Sequence, residues 1–219
     1  MHCGCAGQDR GAGIIHQLRR EAPAVRKIAE SLIVLSTEHG FPQWLAFGKV
    51  WDSWVQAEQV DEVRLVDQLR EAINNYRAQY EPYVPHFLAL LAATELAYEK
   101  ADEGLATVGK ALEMTARTGS RLMDPELHRL KGELLLLSRG PGPEPDAEVA
   151  FRHAIDIARR QNTKSWELRA SASLARLLSR QGKRNEARQT LAALFSWFTE
   201  GFDTRDLKEA KALLEQLSA

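Results

Sequence analysis

Apolar residues recur at helical spacing along this chain, and the helical pattern itself repeats after about 40 residues. Leu88, Leu127, Leu168 and Leu207 open successive patterns of this kind, and second helical patterns alternate with them. Such a period is typical of stacked helix pairs, because one pair cannot bury its own apolar face and must pack against the next. The pattern predicts an all-α solenoid of antiparallel helix pairs.

The same pattern predicts eleven helices and no strand. Their approximate bounds are 14–21, 23–39, 42–58, 61–80, 84–99, 102–118, 125–138, 146–161, 164–181, 184–200 and 204–218. Gly40, Gly119 and Gly182 follow three of the helices, and glycine readily takes the left-handed conformation that ends a helix. Asp124 and Asp146 are each predicted to cap the helix that follows.

The chain is predicted to form one repeat domain after a short irregular start. Residues 1–13 are rich in glycine and lack periodicity, so we expect no packed element there. Residues 14–219 are expected to hold about five helix pairs and a C-terminal capping helix. Residues 139–145 (RGPGPEP) carry the strongest loop signal.

The last full pair indicates which kind of helix pair this is. Tetratricopeptide repeats place small or apolar residues where two helices touch, and this pair does so at Leu174, Ala175, Leu178, Gly182, Ala187, Leu191 and Leu194. Earlier pairs fit less well, since Gln56 and Glu95 stand where an aromatic residue is usual. The predicted fold is therefore a tetratricopeptide-like (TPR-like) solenoid, a right-handed superhelix.

Longer stretches of the chain resemble a known family. They are STEHGFPQW (36–44), RLKGELLL (129–136), IARRQNTKSWELRASASLARLLSRQGKRNEAR (157–188) and WFTEGFDTRDLKEAKALLEQL (197–217). Together they resemble the C-terminal tetratricopeptide-like region of large bacterial signalling proteins, which couple a class III adenylate/guanylate cyclase domain to a predicted ATPase module.

This resemblance implies a non-catalytic sensor or protein-interaction surface in a bacterial signalling system. We expect a departure from the family, with no cyclase or ATPase domain before the repeats, so catalytic activity is not carried over. A truncated sensor region of such a regulator is one alternative that the departure leaves open.

The amino-acid composition indicates which classes of partner are not favoured. The 29 basic and 30 acidic side chains give a formal charge of −1, which favours neither nucleic acid nor a polybasic membrane contact. No stretch approaches the length of a spanning helix. Cys3 and Cys5 are the only cysteines, which fits a reducing cytoplasm.

The sequence contains no strong motif for nucleotide binding, metal binding or catalysis. Gly104–Ala111 (GLATVGKA) resembles a phosphate-binding loop, but Ala111 stands where Mg²⁺ needs a hydroxyl and the stretch lies within a predicted helix. His2, Cys3 and Cys5 offer three tightly spaced ligands where structural zinc wants four. We therefore predict no catalytic residue, no metal site and no cofactor.

An aromatic stripe runs along the third predicted helix. Trp44, Phe47, Trp51 and Trp54 stand at helical spacing. Such residues mostly form the core between neighbouring pairs. Trp54 is the predicted exception, because its repeat position matches those that face the concave side.

Charge is unevenly distributed along the sequence. Residues 58–113 hold 5 basic and 11 acidic side chains, a net charge of −6, whereas residues 147–192 hold 10 and 4, a net charge of +6. Arg169, Arg176 and Arg180 share one helical stripe, with Arg129 as a predicted neighbour.

Two functions follow from this distribution. A basic concave groove would bind an acidic or carboxylate-bearing segment of a protein partner, since guanidinium groups bind carboxylates through two parallel hydrogen bonds. Alternatively, the acidic middle of one copy would meet the basic end of another, which would make the protein a self-associating scaffold. A merely solvated basic face is the simplest alternative to both.

Overall fold

The computed structural model describes residues 3–138 and 142–218 and shows eleven helices and no strand within them. The first five are α1 (Cys3–Leu18), α2 (Ala22–His39), α3 (Pro42–Gln59), α4 (Arg64–Arg77) and α5 (Val84–Ala97). The other six are α6 (Ala101–Thr118), α7 (Asp124–Leu137), α8 (Glu144–Arg160), α9 (Lys164–Arg180), α10 (Arg184–Phe195) and α11 (Arg205–Ser218). Most predicted helices are confirmed to within three residues at each end.

The N-terminal segment differs from the prediction. Residues 3–13 belong to α1 and are not irregular, while residues 1 and 2 lie outside the described part. Gly13 of α1 packs tightly against α3, since a Cβ atom there would lie 2.1 Å from the Trp51 ring. A glycine that resembled a helix breaker in the sequence thus allows close packing of α1 against α3.

Helix ends are predicted well by glycine and poorly by aspartate. Gly40 and Gly119 end α2 and α6 in the left-handed conformation, with φ of 69° and 73°. Asp124 and Asp146 are not caps, because Asp124 is already the first residue of α7 and α8 begins at Glu144. Pro125 and Pro145 are the second residues of α7 and α8, where the N–H that proline lacks would have no partner within the helix.

The chain divides into two compact units, the first ending at Tyr98. Its core is aromatic: Phe47 meets Trp51 edge-on at 4.7 Å between ring centroids and Phe87 at 4.9 Å. Tyr76 of α4 completes the cluster at 5.0 Å from Phe87. The predicted aromatic stripe is therefore mainly core, as edge-to-face packing and burial both favour.

Polar contacts also join the helices of the first unit. Glu95 is fully buried and receives a 2.8 Å hydrogen bond from the Arg70 guanidinium. That bond raises the pKa of Arg70. The aromatic residue expected at position 95 is thus replaced by a buried carboxylate with a cationic partner on α4.

The second unit begins at Glu99 and contains α6 to α11. Leu127, Leu168 and Leu207 are all buried in it, which confirms the periodic core positions. Gly132 of α7 packs against α8 so closely that a Cβ atom would lie 2.4 Å from the Phe151 ring. Small residues therefore set the distance between the two helices of a pair.

The stretch that resembles a phosphate-binding loop lies in α6. Its backbone N–H groups are used in the helix, so they cannot surround a phosphate. Gly104 has a packing role, since a Cβ atom there would lie 2.4 Å from the Leu134 side chain. Within the part of the chain that the structure describes, no helix is long and apolar enough to cross a membrane.

Glycine substitutions test the close packing of α7 against α8. We expect Gly132→Ala to destabilise the protein by roughly 1 to 3 kcal/mol, because the Phe151 ring must move. Gly109→Ala is the control, since a Cβ atom at Gly109 meets nothing within 4 Å and alanine favours the helix by up to about 1 kcal/mol. Urea unfolding measures both, and equal effects of the two substitutions would contradict the packing argument.

A second prediction concerns His86 in α5. Burial lowers its pKa from 6.5 to about 4, so the unfolded chain binds a proton between these values that the folded chain does not. Stability is therefore full above pH 6.5 and falls as the pH decreases toward about 4. Lowering the pH from about 7 to about 5 should remove about 2 kcal/mol through this residue alone.

The comparison of His86→Gln with the original protein isolates this effect. We expect the substitution to reduce the loss of thermal stability between the two pH values. His39→Gln, at an exposed histidine, should leave that loss unchanged. Identical pH profiles for the protein and its His86 variant would show that His86 is not the source.

Candidate functional site

The arginine stripe predicted from the sequence lies on the first helices of successive pairs in the second unit. Arg169, Arg176 and Arg180 are on α9, which contacts both α7 and α11, and Arg129 is on α7. The structure brings Arg129 and Arg169 into one cluster of charges. Arg176 and Arg180 lie further along α9 and are more exposed.

Arg169 is held by groups on three helices. Its Nε donates to the Asp206 carboxylate of α11 at 2.8 Å, and its Nη1 lies 3.6 Å from the Glu126 carboxylate of α7. The guanidinium also stacks 4.7 Å from the centre of the Trp166 ring. With only 12% of its side chain exposed, Arg169 is largely enclosed by its own protein.

Arg129 is held in the same cluster. Its Nε and Nη2 donate to the two oxygens of Glu126 at 2.9 and 2.8 Å, and its Nη1 lies 3.5 Å from Glu133. Burial alone would lower the pKa of the Arg129 guanidinium, but the neighbouring carboxylates outweigh burial and raise the pKa. Glu133 in turn accepts a 2.6 Å hydrogen bond from the Ser173 hydroxyl of α9.

We call these residues the ionic network: Glu126, Arg129, Glu133, Arg169, Ser173 and Asp206. It contains three carboxylates and two guanidinium groups, so its formal charge is −1. This corrects the prediction of a basic groove at Arg129 and Arg169, because carboxylates supplied by α7 and α11 already neutralise both. The network links α7, α9 and α11.

The outer part of the stripe is different. Arg176 is 42% exposed on its side chain and its Nη2 lies 4.0 Å from the Glu209 carboxylate of α11. Glu209 is also the partner of Arg205 at 2.9 Å. Arg180 is exposed one turn further along α9. These two arginines present positive charge at the surface of the unit.

Trp54 does not lie on an open face. Only 3% of its surface is exposed, so the structure places it in the core of the first unit with Phe47 and Trp51. Phe47, Trp51 and Trp54 of the aromatic stripe are buried by neighbouring helices, whereas Trp44 is half-buried. Trp54 therefore presents no ring to a partner.

Sequence reasoning missed the acidic members of the network. Glu126 stands three residues before Arg129, a spacing that pairs side chains on a helix, so this pair could have been found. Asp206 lies 37 residues after Arg169, and only the packing of α11 on α9 brings the two together. Distant carboxylates of this kind have no local sequence signal.

Among residues 3–138 and 142–218 no group of three potential ligand residues is placed to hold a metal ion. His2 and the side chains of Cys3 and Cys5 fall outside what the structure describes.

No family model matches the sequence, and no curated protein matches it either. Solved structures do match. Bacillus thuringiensis PlcR, in complex with the peptide PapR7 and DNA, is 13% identical with a TM-score of 0.77, over 99% of this chain and 75% of PlcR. A Podosopora anserina protein described as a kinesin light chain with nearly identical TPR-like repeats gives 0.54 at 13% identity, over 99% of this chain and 98% of that one.

The Q17M form of the Podosopora protein gives a TM-score of 0.59 at 12% identity, over 90% of this chain and 95% of that one. The fold is a tetratricopeptide-like helical repeat. Its stacked helix pairs confirm the architecture predicted from the sequence. At identities this low the likeness concerns the fold alone, so the link to cyclase and ATPase regulators stays a hypothesis.

The ionic network leads to a stability prediction. Arg169→Ala would leave the largely buried Asp206 carboxylate without its guanidinium partner and leave Glu126 with Arg129 alone, which should destabilise the protein by about 2 to 4 kcal/mol. Arg205→Ala removes an exposed pair with Glu209 and should cost less than about 1 kcal/mol. Urea unfolding of both variants provides the comparison, and similar midpoints for the two would refute a structural role of the network.

Proposed function

We propose that this chain is a non-enzymatic protein-interaction module that binds a peptide segment of a partner in a bacterial signalling system. The observation that supports this most is the TPR-like fold, shared over 99% of the chain with PlcR, which was crystallised with a peptide. Repeats of this kind function by presenting side chains along successive helices.

The proposed binding face is formed by α7, α9 and α11 of the second unit. On it the ionic network fixes the positions of the three helices through hydrogen bonds that are already satisfied. Arg176 and Arg180 lie beyond the network and keep exposed guanidinium groups. A partner would therefore bind at the outer end of α9, and the network would serve as its support.

The proposed partner segment is acidic or ends in a free carboxylate. A guanidinium group matches a carboxylate with two parallel hydrogen bonds, which gives geometric selectivity as well as attraction. Glu209 would compete only weakly for Arg176, since the two groups are 4.0 Å apart at the surface.

The setting of this module is also part of the proposal. We place it in the bacterial cytoplasm, because the sequence has only Cys3 and Cys5 and no disulfide framework. We predict no nucleic-acid partner from the neutral composition. The DNA in the PlcR complex does not fit that prediction, so the likeness to PlcR lends it no support.

Self-association is the second candidate, favoured by the acidic charge of residues 58–113 and the basic charge of residues 147–192. Light scattering at low and high salt distinguishes it. A mass of twice the 24.6 kDa chain at low salt, lost at high salt, would support the scaffold function. A single-chain mass under both conditions would exclude it.

The binding face is tested with labelled acidic peptides that carry a free C-terminal carboxylate, measured by fluorescence anisotropy. We expect the double substitution Arg176→Glu and Arg180→Glu to weaken binding by about tenfold or more, because two attractive charges become repulsive. Arg188→Glu, an exposed arginine on α10, is the matched control and should bind as the original protein does.

Two results would overturn the proposal. One is equal affinity of the original protein, the double variant and the Arg188 variant. The other is the absence of binding by any acidic peptide. Circular dichroism of each variant shows whether the helices are intact, which separates loss of the face from loss of the fold.

A further inference from the structure

A pocket of about 450 Å³ lies between α6, α7 and α8 of the second unit, and none of its lining residues belongs to the ionic network or is Arg176 or Arg180. Six of the residues that line it have polar groups relevant to a ligand: Thr115, Arg121, Asp124, His128, Arg160 and Gln161. The function proposed above does not use this pocket. Two of its polar side chains each have one buried oxygen without a hydrogen-bond donor, which points to a ligand.

Asp124 is the first of these. It is 8% exposed and its Oδ1 atom is buried without a hydrogen-bond donor. A buried carboxylate oxygen without a donor destabilises a folded protein, because it loses its bound water and gains no replacement. Asp124 is also not the cap of α7, since the cap position belongs to Met123. Local helix chemistry therefore does not account for its burial.

Gln161 is the second. Its Nε2 donates to the Arg121 carbonyl oxygen at 2.7 Å, which fixes the orientation of the side-chain amide. Its Oε1 is then left buried without a donor. Asp124 and Gln161 together offer two unsatisfied acceptors in one pocket. A ligand that satisfies both must carry several N–H or O–H donors, and a primary ammonium group has three.

The remaining groups fit a ligand with an ammonium group and negative charge elsewhere. Arg121 and Arg160 are exposed at the pocket and supply two guanidinium groups. Burial, together with the charges of His153 and Lys131, lowers the pKa of His128 to about 4. Its imidazole is thus neutral at neutral pH and does not repel an ammonium group.

We propose that this pocket binds a small amino-dicarboxylate, or the amino terminus of a peptide that begins with an acidic residue. Asp124 and Gln161 bind the ammonium group, while Arg121 and Arg160 bind the carboxylates. One carboxylate and two guanidinium groups in the lining match one ammonium and two carboxylates in the ligand. This assignment rests on the pocket alone and is independent of the partner face on α7, α9 and α11.

A purely structural role for Asp124 makes the opposite prediction for stability. A carboxylate in the first turn of α7 interacts favourably with the positive end of the helix dipole. If that were its function, Asp124→Asn would lower the melting temperature of the ligand-free protein. If Asp124 serves a ligand, removing its unsatisfied charge should raise the melting temperature, by roughly 2 to 4 °C.

The binding test uses isothermal titration calorimetry of the full chain with L-glutamate. Glutarate lacks the ammonium group, and N-acetyl-glutamate has it blocked. A short amidated peptide that begins with glutamate distinguishes a peptide terminus from a free amino acid. We expect saturable binding of L-glutamate or of the peptide, and at least about tenfold weaker binding of glutarate and N-acetyl-glutamate.

Two aspartate variants complete the test. Asp124→Asn should weaken binding by about tenfold or more. Asp156→Asn, at an exposed aspartate on α8, should leave binding unchanged. The proposal is overturned if no ammonium-bearing probe binds, if glutarate binds as well as glutamate, or if Asp124→Asn binds normally. A lower melting temperature of the Asp124 variant would likewise assign Asp124 to the helix and not to a ligand.

Discussion

Burial of leucine and alanine between neighbouring helices is the constraint on which this structure depends, because no single helix pair can cover its own apolar face. Leu127, Leu168 and Leu207 meet that constraint in the second unit, and the edge-on aromatic cluster around Phe47 meets it in the first. Helices can bury these residues only if they approach closely. Glycine permits the approach of α7 to α8 at Gly132, where any larger side chain would strike the Phe151 ring.

The same constraint explains where the charges are. Apolar residues occupy the contacts within and between pairs, so polar groups collect on the remaining faces of α7, α9 and α11. Arg169 reaches carboxylates on both neighbouring helices, which adds a polar link between successive pairs to the apolar contacts. Ion pairs that are partly buried are sensitive to geometry, so the network favours one register of these helices over others.

Most of the fold could be predicted from the sequence because its signals are local. The period of the apolar residues predicted the helices, and Gly40 and Gly119 predicted where two of them end. Glycine-rich sequence was misleading in α1, where Gly13 serves a contact with Trp51 that lies 38 residues away in the chain. The candidate site was predicted only in part for the same reason, since the carboxylates that neutralise Arg169 come from helices before and after its own.

The sequence did not show which arginines hold the helices together and which are available to a partner. The hydrogen bonds of each side chain in the structure do show this. Arg129 and Arg169 donate hydrogen bonds to carboxylates of their own protein, so they act in holding the fold together. Arg176 is more exposed, with its nearest carboxylate 4.0 Å away, and Asp124 has an oxygen without a donor, so each retains capacity for a group from outside. A carboxylate oxygen that is buried without a donor lowers stability, and Asp124 carries such an oxygen in the lining of a pocket. A ligand bound there as proposed would supply the donor that the protein does not.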